Sequence, residues 1–162
     1  MPGPSAHTLC ERIGFSDGHG YHPTFLPEVT LFRVAVHEGE CPLLHQSGLT
    51  FILQGHQVGA AGGRECSNGG DRYLILTGNL PLLCETPASS ETPVIGLHVG
   101  IDVTRLQRLV SILSDDPYWR RKTGSLPEQV VTSSRLDEHI SNSVTALIEV
   151  LHDPIASRAL GS

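Results

Sequence analysis

The sequence predicts an α+β domain in which strands come first and helices follow, the strands forming a sandwich or a closed barrel. Three observations predict it. From Leu49 to Leu76 the chain reads LTFILQGHQVGAAGGRECSNGGDRYLIL, and LTFILQ and RYLIL are short β-branched and aromatic runs between glycine clusters, each one strand. Between them Gly55, Gly62-Gly63 and Gly69-Gly70 with Asp71 supply the positive-φ positions that tight reversals need, so the segment is a β-meander. Turns and apolar runs then continue at short, regular spacing through Leu80-Pro81-Leu82-Leu83-Cys84, the pattern of a sandwich or barrel. Long helical periodicity is confined to residues beyond Asp102, which segregates strands from helices instead of alternating them.

In chain order, Ser5 to Gly14 begins at a serine cap and ends at a glycine, with Leu9 and Ile13 four apart, predicting a short amphipathic helix. FSDGHGYHPTFLPEV follows, and its glycines, prolines and turn formers predict an irregular arm across the body that buries Phe15, Tyr21, Phe25 and Leu26. Val29 to Val36 (VTLFRVAV) opens the sheet, with Leu31 and Arg33 on one face and Phe32 and Val34 on the other. After the meander and the LPLLCET strand, VIGLHVGID (Val94 to Asp102) sets Ile95, Leu97, Val99 and Ile101 on one face and Gly96, His98 and Gly100 on the other. Asp102 caps VTRLQRLVSILS, whose Leu106, Leu109, Val110 and Leu113 fall at helical spacing until Asp115-Asp116-Pro117 stops it. PYWRRKTGSLPEQVVTSS reads as irregular, and Arg120, Arg121 and Lys122 within it as a solvated loop. Arg135 to Leu151 carries a stripe of Leu136, Ile140, Val144, Leu147, Ile148 and Leu151, the strongest helical signal in the chain.

The 162 residues suffice for one domain with a core and a helical appendage. A net charge of −6 with thinly spread Lys and Arg supplies no dense positive surface, which excludes nucleic-acid binding by this piece alone. Cys10, Cys41, Cys66 and Cys84 are scattered without a CxxC spacing, and the N-terminus has no basic and then apolar signal region. The longest apolar runs fall far below the ~18 residues of a membrane span. These features predict a soluble, cytoplasmic protein with free thiols and no membrane partner.

PEVTLFR, FILQGHQVGAAGG, the Gly70-Asp71 turn with YLILTGNLPLLCET, and VIGLHVGID leading into an Asp-capped helix together resemble the N-terminal effector domain of AraC-type bacterial transcriptional regulators. The likeness covers roughly residues 20–160, through the closing helix and the DPIASRAL segment, and rests on the order of short motifs. It implies a cupin-like small β-barrel of jelly-roll type followed by a C-terminal pair of helices used for homodimerisation. The implied division is an N-terminal helix and arm over 1–27, the barrel over 28–102 and a helical dimerisation segment over 103–162, within one compact unit. Regulators of this kind add two helix-turn-helix units, and this chain stops before them. It is therefore expected to be an isolated regulatory domain, to bind a small-molecule effector and to reach DNA only through the missing region.

The same barrel hosts metal enzymes, so a metal-dependent dioxygenase or isomerase is the alternative. Setting the last glycine of the cupin motif G-x5-H-x-H-x3,4-E-x6-G on Gly55 puts its glutamate at Gly48 and its histidines at Pro42 and Leu44, or at Cys41 and Leu43. The turn Thr77-Gly78-Asn79-Leu80-Pro81 lacks the second motif's histidine. No three-histidine-plus-carboxylate cage follows, and no GxSxG is present. No catalytic residue, metal site or cofactor is expected.

The candidate effector site draws on Arg33, a mid-strand charge needing a carboxylate, a carbonyl or a ligand anion. Phe51 and Tyr73 are candidate wall, His45 and His98 candidate hydrogen-bond partners, and Tyr21 and His22 in the arm a candidate closure. His98 is singled out because Gly96 and Gly100 remove bulk beside it. The other histidines read as surface or singly hydrogen-bonded groups, and the cysteines as small buried hydrophobes. For the dimer, the exposed parts of Leu106, Leu109, Leu113, Ile140, Val144, Leu147 and Leu151 are the candidate contacts.

Overall fold

A computed structural model describes residues 6–118, 130–153, 155 and 159. Ten antiparallel strands follow the order β1 (Gly20–Pro23), β2 (Val29–Val34), β3 (Glu38–His45), β4 (Gly48–Gln54), β5 (His56–Ala61), β6 (Arg64–Gly69), β7 (Arg72–Leu76), β8 (Leu80–Thr86), β9 (Val94–Gly100) and β10 (Val131–Arg135). Helix α1 (Ala6–Arg12) precedes them, α2 (Val103–Ser114) lies between β9 and β10, and α3 (Glu138–His152) follows β10. One sheet runs β1-β2-β9-β4-β7-β6-β5-β8-β3 with β10 added on β7, and it curls into a half-barrel with β1 and β3 at its ends.

The meander forms where the glycines demanded it. Gly62 and Gly63, at φ +57° and +77°, make the two-residue reversal between β5 and β6, closed by the pairing of Ala61 with Arg64. Both helix caps also arise from the sequence: Asp102 accepts from the Thr104 and Arg105 amides, and Asp137 from the Ile140 amide.

Three segments differ from expectation. Gly20–Pro23, within the predicted irregular arm, is strand β1, paired with the edge of β2 so that Tyr21 faces Phe32; Pro23 is tolerated because it ends an edge strand. Glu38–His45, unassigned from sequence, is β3, held by β8 across Cys41–Cys84 and His45–Leu80. Val131–Arg135, predicted irregular through Ser134 and helical from Arg135, is β10, so the segment 103–162 is not wholly helical. Its VTSSR has no apolar alternation; long-range bonds stabilise it instead, with Arg72 Nε donating to Ser133 Oγ at 2.8 Å and that hydroxyl donating to the Ser67 carbonyl at 2.7 Å. Arg135 thereby closes β10, and α3 starts at Glu138. Arg120, Arg121, Lys122, the Ser5 cap and most of the DPIASRAL segment lie outside the described residues.

Alternation sorts the core into two sides of the sheet. On one, Leu31, Ile95 and Leu97 meet Leu9, Cys10 and Phe15 from the N-terminal segment and Leu151 of α3. On the other, Phe32, Val34 and Val94 form one cluster and Cys66, Leu74, Leu76, Leu82, Cys84 and Val131 another. Burying so many fully enclosed aliphatic side chains, each worth about 1.5–3 kcal/mol, fixes which strand faces look inward.

Candidate functional site

A cavity of about 330 Å³ opens on the inner side of the half-barrel, lined by Tyr21, Thr30, Phe32, Leu44, His45, Gln46, Thr50, Gln57 and His98. Strand register builds its first wall: Thr30 of β2 pairs with His98 of β9, and His98 with Thr50 of β4, so three polar side chains share a row and a face. One step along, Phe32 pairs with Gly96, and a Cβ on Gly96 would collide with the Phe32 ring. The room that glycine leaves beside His98 is therefore taken by an aromatic ring. Leu44 and His45 come from the end of β3, Gln46 follows directly after it, and Gln57 comes from β5.

The polar groups are largely tied down. Thr50 Oγ1 and His98 Nδ1 are hydrogen bonded at 3.1 Å, and Gln57 Nε2 donates to Thr86 Oγ1 at 3.0 Å. His45 Nε2 meets Cys84 Sγ at 3.5 Å. Burial pushes the pKa of His45 down, with His98 nearby adding to the effect, and burial pushes His98 down against a smaller opposing pull from the Ser47 backbone. The Cys84 thiol is driven up to about 11 by burial and by its neighbours Cys41 and Cys66. His98 Nε2 is enclosed with no hydrogen-bond partner among the described residues, as are both side-chain polar atoms of Asn68, which pairs in register with Gln57. Enclosed polar atoms of this kind are uncommon and carry a desolvation cost until something satisfies them.

Of the residues singled out from sequence, Tyr21, His45 and His98 come together on this cavity. Arg33 does not line it. Its guanidinium Nη1 donates to the Gly18 carbonyl at 2.7 Å on the face shared with Leu31, where it ties the arm to β2. Phe51 and Tyr73 stack on each other with centroids 5.1 Å apart, on the opposite side of β4 and β7 from Thr50. His22 pairs with Leu31 and stacks on Phe15 at 5.0 Å, facing the helices. Sequence reasoning passed over Thr30, Thr50 and Gln57. Alternation counted from Phe32 along β2 picks out Thr30, whereas Thr50 joins the site only through the register of β4 on β9.

For the proposed contact face, Leu106 and Leu109 are 45% and 54% exposed, and Leu113 is half-buried. Leu151 is 5% exposed and belongs to the core beside Leu9, and Leu147 is partly buried against the same cluster. Ile140 and Val144 stay half-buried.

Among the described residues no group of three or more His, Cys, Asp or Glu side chains is placed to hold a metal ion, and no helix is long and apolar enough to cross a membrane. The four cysteines are free thiols. Residues 25–162 match the family described as AraC-type transcriptional regulator N-terminus. No curated protein matches the chain significantly.

Proposed function

The chain belongs to the family of AraC-type transcriptional regulator N-termini, and on that premise we propose that it is an effector-binding, dimerising regulatory unit without catalytic activity. The half-barrel acts as a cupin-like body over residues 28–102, the arm over 1–27 closes its mouth through Tyr21, and the segment 103–162 supplies the contact between two copies. DNA is reached through a separate helix-turn-helix region, and this acidic piece alone does not hold it at physiological salt.

The observation that carries the effector reading is the cavity. It sits at the small end of the ~300–1,000 Å³ range of small-molecule sites and combines an apolar wall with a few oriented polar groups. For dimerisation the support is α2, where every described side chain from Thr104 to Ile112 is exposed although Leu106, Leu109, Val110 and Ile112 are apolar. A contiguous apolar surface of that kind marks an interaction face.

Equilibrium dialysis against a defined metabolite library, read by mass spectrometry, tests the effector reading with the parent chain and Thr30→Trp, which fills the cavity. At least one compound should be retained by the parent and not by the variant. Equal retention by both, or none by either, would contradict it.

A further inference from the structure

We infer that the cavity selects an uncharged small molecule, an apolar body bearing hydroxyl, amide or carbonyl groups, and rejects carboxylates, phosphates and ammonium ions. The inference rests on reading this cavity as the effector site. Among the described residues no Lys, Arg, Asp or Glu lines it, and a charge taken from water into such a space is repaid only by an opposite charge held against it. The two imidazoles do not supply one. Burial holds both toward the neutral form, and each already has one ring nitrogen engaged, His98 by Thr50 and His45 by Cys84. Arg33, the nearest candidate for an anion anchor by sequence, is turned to the other face of β2 and used by the Gly18 carbonyl.

What the interior does offer is neutral and two-sided: hydroxyls on Thr30 and Thr50, each donor and acceptor, and the Gln57 amide. Phe32, Leu44 and the Tyr21 ring form the apolar part. A site built to hydrogen-bond neutral groups discriminates by leaving its own polar atoms unpaired when the wrong ligand enters.

The test uses fragments of one skeleton in different charge states: benzamide and benzyl alcohol against benzoate and benzylammonium, and butyramide against butyrate. Binding is read from the chemical shifts of Thr30, Thr50 and His98 in the labelled chain. The neutral member of each set should bind at least tenfold more tightly than the charged ones. Gln57→Lys should reverse the order in favour of benzoate and butyrate, and Thr30→Lys at the half-buried end of the row serves if that variant does not fold. Charged members binding the parent as tightly as their neutral partners would overturn the inference and leave the effector site standing. If no fragment of either kind moves those three residues, the reading of the cavity as a small-molecule site fails, and the inference with it.

Discussion

Cys84 Sγ on β8 lies 3.5 Å from His45 Nε2 on β3, both side chains buried. Such a pair becomes a nucleophile only when the thiolate–imidazolium form is favoured. Here the environment opposes that form from both ends, since burial raises the thiol to about 11 and lowers the imidazole. At pH 7.5 Cys84 holds about 300-fold less thiolate than an ordinary cysteine of pKa ~8.5. Iodoacetamide labelling followed by peptide mass spectrometry should modify half-buried Cys41 well before Cys84, whose rate should climb only near pH 10–11. Rapid labelling of Cys84 at pH 7.5 would show that the pair is activated after all.

His45, His98 and His152 all have pKa values lowered by burial from the ordinary 6.5, Arg12 adding to the shift at His152. Below 6.5 the unfolded chain takes up protons that the folded chain refuses, so stability from these rings is complete above that pH and is lost as the pH falls through it toward the lower folded values. Urea midpoints measured at pH 7.5 and 5.5 should drop for the parent, and drop less for His45→Gln/His98→Gln. An equal drop in both proteins would remove the cavity histidines from the account.

Gly96 is required by its neighbours. An added Cβ would meet the Phe32 ring and lie 2.6 Å from the Phe51 carbonyl oxygen, and a backbone atom in a central strand has nowhere to move. Gly96→Ala should cost about 1–3 kcal/mol in chemical denaturation, the usual range for overpacking. Gly39→Ala, with open space around its Cβ position, is the control and should change little.

The dimer contact is predicted on α2. Leu109→Glu alters an exposed side chain outside the core, so it should leave the unfolding midpoint of the dissociated chain unchanged while converting a dimer to a monomer by light scattering. A parent chain that is monomeric at high micromolar concentration would remove the interaction face from the account.

How much of this was legible in the sequence follows from the range of each interaction. Glycine reversals and aspartate caps are local, so the meander, the start of α2 and the alternating faces of β9 could be read directly. β1 and β10 could not: GYHP and VTSSR have no strand pattern of their own and become strands only because β2 and β7 present free edges to them. The same distinction divides the site. His98 followed from alternation along one strand, whereas its row with Thr30 and Thr50 depends on the register of three strands far apart in the chain. Arg33 was legible as a charge in need of a partner, but the partner, the Gly18 carbonyl, depends on how the arm lies.

The central claim is that the cavity bounded by Thr30, Thr50 and His98 is where an effector acts. Its most direct test is a thermal-shift and binding comparison of the parent with His98→Ala and Thr50→Val, using whichever compound the dialysis retains. At ~100 times its dissociation constant a ligand stabilises the fold it binds by about 2.7 kcal/mol. The parent should show that gain, and each variant, folded on its own, should lose most of it because the hydrogen-bonded pair at 3.1 Å is broken. A compound that stabilises all three proteins equally would place the effector elsewhere and contradict the account.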